Sequence, residues 1–127
     1  MIGYITLGTN DIDKATEFYE ALLSEIGAKR VVNEDHLKMW SVARGQPMLG
    51  VIKPHNGEAA TFGNGTMPAL LLDSTETVTK MHAKAIELGG TDEGAPGPRG
   101  GGQLFFGYFR DPEGHKIAFY APNKAKD

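Results

Sequence analysis

The sequence predicts an α+β fold in which the order strand, helix, three strands occurs twice. Three observations lead to this prediction: two amphipathic helical patterns, a glycine directly after each pattern, and apolar runs of strand length around them. The 127 residues match the length of one domain. We therefore expect a single domain over residues 1–127, with module one at about 1–55, a linker at 56–66 and module two at about 67–127.

The first module begins with a short apolar and β-branched run at residues 4–9. Asn10 and Asp11 then provide a helix-capping signal, and apolar residues at helical spacing follow over residues 12–26. Gly27 is suited to end this helix in the left-handed conformation. Three strands are predicted after it, at residues 29–33, 37–43 and 48–53.

The second module repeats this order. An apolar strand is predicted at residues 69–72, and Asp73 with Glu76 forms a capping-box pattern at the start of a second amphipathic helix. Gly89 and Gly90 end that helix. The remaining predicted elements are a short strand near Thr91, a loop at residues 94–102, and two hairpin strands at residues 104–110 and 116–121.

The hairpin has a turn sequence with a clear physical basis. Asp111 can accept hydrogen bonds from backbone groups two residues on, Pro112 fixes the backbone at the second turn position, and Gly114 takes the fourth. Apolar residues flank the turn on both sides, which is typical of a β-hairpin.

Four sequence segments, in this order and at this spacing, resemble the vicinal-oxygen-chelate superfamily, which includes glyoxalase I, bleomycin- and fosfomycin-resistance proteins and extradiol dioxygenases. The segments are Asn10-Asp11-Ile12-x-x-Ala15-x-x-Phe18-Tyr19, Gly63-Asn64-Gly65, Ala95-Pro96-Gly97 and Tyr108-x-x-Asp111-Pro112-x-Gly114. The resemblance covers nearly the whole chain. It implies a glyoxalase-like fold, in which the two βαβββ modules form curled mixed sheets around one cup-shaped site.

Metalloenzymes of that superfamily hold a divalent ion with four ligands, two from each module. The resemblance places these positions at Tyr4, within residues 49–51, at Met67 and at Ala118, and no residue there is a histidine or a carboxylate. The four histidines offer no substitute, because no two of them share helical or strand spacing; they are His36, His55, His82 and His115. We therefore expect no family-type metal site and no cofactor, and we assign no catalytic residue.

A cup without metal can still bind an organic molecule through aromatic side chains. Alternate residues of a strand face the same side, so the face of Ala118 should also carry Lys116 and Tyr120. The candidate ligand-binding residues are Tyr4, Trp40, Met67, Phe106, Tyr108, Ala118 and Tyr120, with Arg110 as an anion clamp. The alternative is that the aromatic residues only fill the half-barrel and that Arg110 braces the turn.

The segment 94–102 contains five glycines and two prolines in nine residues, which excludes a helix or an interior strand. It also lacks a nucleotide-binding pattern, because no Gly-x-Gly-x-x-Gly follows a strand and opens a helix. One interpretation is a lid over the cup, with Arg99 at its tip reaching an anionic ligand. The other is a flexible surface connection.

Composition limits the range of functions. A net charge of −3 and a pI near 5.8, without a basic run, argue against nucleic acid as a partner. The sequence shows neither an apolar stretch of membrane-spanning length nor a signal-peptide pattern. It contains no cysteine, which excludes disulfides and thiolate chemistry. We therefore expect a cytoplasmic protein that has no membrane partner.

Three functional hypotheses follow. The leading one is a protein that binds a small organic molecule in the aromatic cup without the family's metal. The alternative is a lactoylglutathione-lyase-like or dioxygenase-like enzyme that uses non-standard residues such as Tyr4 and Tyr120. The third is a subunit whose role is association, since strand edges and paired modules favour dimers. A homodimer is expected in each case.

Overall fold

A computed structural model describes residues 1–123; the predicted end of module two, residues 124–127, lies outside the described residues. The structure confirms the α+β fold with two βαβββ modules. The elements are β1 (Tyr4–Gly8), α1 (Ile12–Ser24), β2 (Lys29–Glu34), β3 (Leu37–Ser41), β4 (Met48–Ile52), β5 (Ala69–Leu71), α2 (Thr75–Glu87), β6 (Thr91–Arg99), β7 (Leu104–Arg110) and β8 (Lys116–Pro122). The chain divides into two compact units, residues 1–62 and 63–127.

The first unit is a four-stranded mixed sheet with α1 packed on one face. The strand order is β1-β4-β3-β2, in which β1 pairs with β4 in parallel and the other pairs are antiparallel. The capping prediction is confirmed, because the Asp11 side chain accepts from the Lys14 backbone N–H at 3.1 Å. Gly27 has the expected positive φ of 81° just after the helix.

The second unit has the same topology, with the order β5-β8-β7-β6 and a parallel β5–β8 pair. Its helix α2 packs on β7 and β8, where the Phe109 and Phe119 rings lie 5.3 Å apart in the core. The helix cap differs from the prediction by one residue. The side chain of Ser74, and not that of Asp73, accepts from the Thr77 N–H at 3.1 Å.

The predicted loop at residues 94–102 is wrong over most of its length. Residues 91–99 form strand β6, which pairs with β7 through two register shifts, and only Gly100–Gly102 is a 3₁₀ turn. A strand with two prolines is tolerated here because β6 is at the sheet edge, where one side of the backbone needs no strand partner. The two register shifts accommodate the irregular backbone.

The hairpin turn forms as predicted. The Asp111 carboxylate accepts from the backbone N–H groups of Glu113 and His115, at 3.0 and 2.9 Å, and Gly114 has a φ of 93°. The turn fixes the pairing of β7 with β8 and therefore the side-chain order on each face of the sheet. Within residues 1–123, neither helix is long and apolar enough to cross a membrane.

Candidate functional site

The sheet of the second unit has one face against α2 and one face directed away from it. The register pairs Phe106 with Tyr120 and Tyr108 with Ala118, so these four side chains lie on the same face. Their neighbours along the strands face α2, since a Cβ added at Gly107 would lie 3.3 Å from the His82 ring of that helix. We call the surface formed by Phe106, Tyr108, Ala118 and Tyr120 the aromatic face.

Three rings on the aromatic face form a stacked row. The Phe106 ring lies between Tyr120, with a centroid distance of 4.9 Å, and Tyr108, at 5.5 Å. Both pairs are nearly parallel, with interplanar angles of 11° and 9°. Such a pair contributes about 0.5–1.5 kcal/mol beyond the area that it buries. All three side chains are only half-buried, so the row offers apolar surface for a ligand.

Two cations lie beside the Tyr108 ring. The Arg99 guanidinium carbon is 5.7 Å and the Lys116 Nζ is 5.3 Å from the ring centroid. Each contact contributes about 0.5–1 kcal/mol at an exposed position. Lys116 was not among the predicted binding residues, although strand alternation from Ala118 placed it on this face. Arg99 comes from β6, whose edge strand brings its side chain to the same ring.

A buried histidine supports the aromatic face from behind. The His82 Nε2 lies 3.1 Å from the Asp92 carboxylate and 3.0 Å from the Tyr108 carbonyl oxygen. Both partners are acceptors when Asp92 is ionised, so Nε2 carries the proton that it donates. Because Asp92 also accepts from the Gly94 N–H at 3.0 Å, the imidazole links α2 to the strands that carry Tyr108 and Arg99. His82 thus packs between α2 and the sheet of the second unit.

Arg110 lies on the same face, directly opposite Lys116 in the strand register. Its Nε is 3.1 Å from the Glu93 carboxylate, and its Nη1 donates to the Gly114 carbonyl at 2.9 Å. The ion pair and the contact with the turn favour the turn-bracing interpretation. The proposed role as an anion clamp stays a prediction.

The two residues of the first unit that were predicted to bind the ligand, Tyr4 and Trp40, lie on opposite faces of its sheet. Tyr4 is 56% exposed on β1, whereas Trp40 is 2% exposed and packs against α1. The indole Nε1 donates to the Glu20 carboxylate at 2.6 Å, and the ring lies 6.2 Å from that of Tyr19. The structure therefore does not bring Trp40 together with Tyr4. Sequence alternation could not show this, because no turn motif fixes the register of β3.

The indole contact also affects the ionisation of Glu20. The hydrogen bond from Trp40 lowers the pKa of this carboxyl below its usual value. The Arg30 side chain, whose Nε is 3.1 Å from the same oxygen, lowers the pKa further, while partial burial opposes both effects. Glu20 thus accepts the hydrogen bond that fixes the buried Trp40 ring against α1.

Met67 and the edge strand β5 continue the second sheet. Ala69 pairs with Ala118 and Leu71 pairs with Tyr120, so β5 extends the aromatic face with apolar side chains. Leu71 is 63% exposed. Met67 lies two residues before β5 and is also solvent-accessible. The binding roles of Met67 and of the aromatic residues stay predictions.

The positions of the family's metal ligands do not fit a divalent ion. In the segment 49–51, Gly50 pairs with Thr6 and so shares the face of Tyr4, but a side chain there would overlap Met39. Ala118 is fully buried and carries only a methyl group. The two remaining positions offer the phenol of Tyr4 and the thioether of Met67, whereas divalent metal ions at such sites prefer imidazole and carboxylate ligands.

The histidines do not assemble an alternative metal site. His36 and His55 are exposed, whereas His82 and His115 are buried. Across residues 1–123, no group of three or more His, Asp or Glu side chains is placed to hold a metal ion. The expectation that the protein works without metal stays a prediction to be tested in solution.

Comparison with solved structures supports the glyoxalase-like α+β fold. A glyoxalase/bleomycin resistance protein from Albidiferax ferrireducens T118 is 33% identical, with a TM-score of 0.86 over 95% of this chain and 98% of that chain. A glyoxalase/bleomycin resistance protein/dioxygenase family enzyme from Burkholderia phytofirmans PsJN is 18% identical, with a TM-score of 0.74 over 94% and 97% of the two chains.

A lactoylglutathione lyase from Agrobacterium tumefaciens is 20% identical, with a TM-score of 0.71 over 95% of this chain and 92% of that chain. At this level of identity the likeness concerns the fold alone. No curated protein sequence matches the chain. The model of one protein family does match, over residues 1–119. The chain therefore belongs to the Glyoxalase/Bleomycin resistance protein/Dioxygenase superfamily.

Proposed function

We propose that this protein binds a small organic molecule on the aromatic face, without the metal-ligand set of the superfamily's metalloenzymes. The observation that carries the proposal is the row of three parallel, half-buried rings of Phe106, Tyr108 and Tyr120. Binding sites for organic molecules combine apolar and aromatic surface with a few polar groups that fix orientation. The phenol groups and the two neighbouring cations provide those polar groups.

The arrangement suits a flat ligand. A planar apolar body can stack on the outer face of a terminal ring, Tyr108 or Tyr120, with the geometry that the rings already adopt with one another. The row is held in place from behind, since the Tyr108 backbone is bonded to His82 and the packed core of α2 lies under β7 and β8. A preformed surface lowers the ordering cost of binding.

A thermal-unfolding screen tests the proposal. Chelator-treated protein is heated with a set of flat aromatic compounds, and compounds that raise Tm are titrated by calorimetry. A compound at a hundred times its Kd adds about 2.7 kcal/mol, which shifts Tm by about 10 °C for a domain of this size. We expect Phe106→Ala to reduce the affinity of any such compound by about tenfold, since the ring that holds Tyr108 and Tyr120 in one parallel row is removed.

Phe62→Ala is the matched control, because Phe62 is an exposed phenylalanine outside the ring row. It should leave the affinity unchanged. Equal affinity in Phe106→Ala and the unmodified protein would show that the aromatic face is not the site. Binding or turnover that requires added Ni²⁺, Zn²⁺, Mn²⁺ or Fe²⁺ would contradict the metal-independent part of the proposal.

A further inference from the structure

The two cations beside Tyr108 are not neutralised by carboxylates. Arg99 and Lys116 both approach one ring, at 5.7 and 5.3 Å from its centroid. In the part of the chain that the structure describes, neither has a carboxylate oxygen within ion-pair distance. An anion bound next to the Tyr108 ring would therefore lie close to two positive charges that have no carboxylate partner.

Arg110 on the same face provides an internal comparison. Its guanidinium is paired with Glu93 at 3.1 Å, so its charge is already balanced within the protein. The chain as a whole is acidic, with a net charge of −3. Among these three cations of the aromatic face, the unbalanced positive charge therefore belongs to Arg99 and Lys116.

The backbone holds Arg99 in this position. Its Nη2 donates to the Ala95 carbonyl at 2.9 Å and its Nη1 to the Pro98 carbonyl at 3.1 Å. A guanidinium has five N–H donors, so these two bonds leave others for a ligand. The side chain is half-buried, and the two carbonyls restrict its rotation.

Two glycines of β6 make room for this arrangement. A Cβ at Gly94 would lie 2.8 Å from the Tyr108 ring, and a Cβ at Gly97 would lie 3.1 Å from the Arg99 guanidinium. Neither glycine has a positive φ, so backbone conformation does not account for them. Their role is steric: each leaves space for one of the two groups that face the ligand surface.

We propose that Arg99 and Lys116 form an anion-recognition site, and that the ligand of the aromatic face is a flat aromatic carboxylate. The planar fork of a guanidinium matches the geometry of a carboxylate, and the ammonium group adds a second positive charge. The flat body of the ligand stacks on the ring row while its carboxylate lies between the two cations. The inference rests on the proposed function, because it assumes that organic molecules bind to the aromatic face.

Calorimetry with a matched pair of probes tests this inference. Naphthalene-2-carboxylate and naphthalene-2-carboxamide have the same body and nearly the same size, and they differ in charge. We expect the carboxylate to bind about tenfold more tightly, since hydrogen bonds between charged groups are stronger than those between neutral groups. Raising the NaCl concentration from 50 to 500 mM should lower the affinity of the carboxylate and leave the affinity of the carboxamide unchanged.

Variants assign the effect to the two cations. Lys116→Met and Arg99→Gln remove the charge and keep an unbranched aliphatic stem, and each should reduce carboxylate affinity by about 3- to 10-fold and amide affinity by less than 2-fold. Lys29→Met is the control, since Lys29 is an exposed lysine of β2 in the first unit. It should change neither affinity.

The outcomes separate the two proposals. Equal binding of both probes, with both lost in Phe106→Ala, would overturn the anion inference and leave the aromatic face as the site of an uncharged ligand. Carboxylate binding that is insensitive to Phe106→Ala would overturn both proposals. Binding of inorganic phosphate with the affinity of the carboxylate would also overturn the assignment, because it would show a site for the charge alone.

Discussion

The two units share one topology but use their large aromatic residues differently. In the first unit Trp40 lies between the sheet and α1, and the other face carries Tyr4, Thr6 and Gly50. In the second unit the rings of Phe106, Tyr108 and Tyr120 lie on the face away from the helix. Both units bury large aromatic rings against their helix, Trp40 in the first and Phe109 with Phe119 in the second, but the second unit also carries a ring row on its other face, which is the proposed ligand surface. Which role an aromatic residue takes depends on strand register.

The largest expected effect comes from removing the buried Trp40 ring of the first unit. Trp40→Ala should lower the free energy of unfolding by about 3–5 kcal/mol, because it leaves a cavity and removes the donor to Glu20. Urea denaturation measures the change, and Val42→Ala, at a 52% exposed position, is the control. Trp40→Phe should retain ligand affinity. If Trp40→Phe lowered the ligand affinity more than threefold, Trp40 would belong to the binding site after all.

A smaller effect is expected from filling the space beside Tyr108. Gly94→Ala should destabilise the protein by about 1–3 kcal/mol, because the new methyl group lies 2.8 Å from the ring. The displaced ring should also weaken binding of the carboxylate probe. Gly3→Ala is the matched control, because nothing lies within 4 Å of a Cβ there. If both variants unfold at the same urea concentration, the steric role of Gly94 is wrong.

The smallest expected effect is the pH dependence of the stability that the hydrogen bond between Trp40 and the Glu20 carboxylate provides. The folded-state pKa of Glu20 is lowered, chiefly by the Trp40 hydrogen bond, so its contribution is complete above the usual value of 4.5 and declines as pH falls through the folded-state pKa. Glu20→Gln should therefore be less stable at neutral pH by a few tenths of a kcal/mol, since the side chain is 48% exposed.

Urea midpoints measured between pH 3 and 7 test this dependence. The difference between the unmodified protein and Glu20→Gln should shrink below about pH 4.5. Glu17→Gln, an exposed change in the same helix, should show no such convergence. A difference that is constant down to pH 3 would indicate that the carboxylate charge does not stabilise the Trp40 contact.

Sequence reasoning succeeded where a turn fixes the register. The Asp111–Gly114 turn sets the pairing of β7 with β8, so alternation alone placed Phe106, Tyr108 and Tyr120 on one face. It did not place Trp40, because β3 has a register shift in its pairing with β2 and its indole partner is twenty residues away in the chain. Such a long-range hydrogen bond leaves no local pattern.

The segment before β7 shows a second limit. Glycine and proline content indicated a loop, but an edge strand tolerates both residues, and β6 extends to Arg99. The Arg99–Lys116 pair therefore depends on a strand that composition did not reveal. Lys116 itself was within reach of strand alternation, yet its charge has meaning only once Arg99 is placed beside the same ring.

The edge position of β6 has a consequence for how this protein can change. The strand is bonded to the sheet on one side only, and its residues are largely exposed, so substitutions in it disturb the hydrophobic core less than substitutions in β7 or β8. The same strand carries Gly94, Gly97 and Arg99, which shape the surface next to Tyr108. Under the proposed function, a library of substitutions in residues 95–99 would change ligand preference while the hydrophobic core that β7 and β8 form with α2 stays the same.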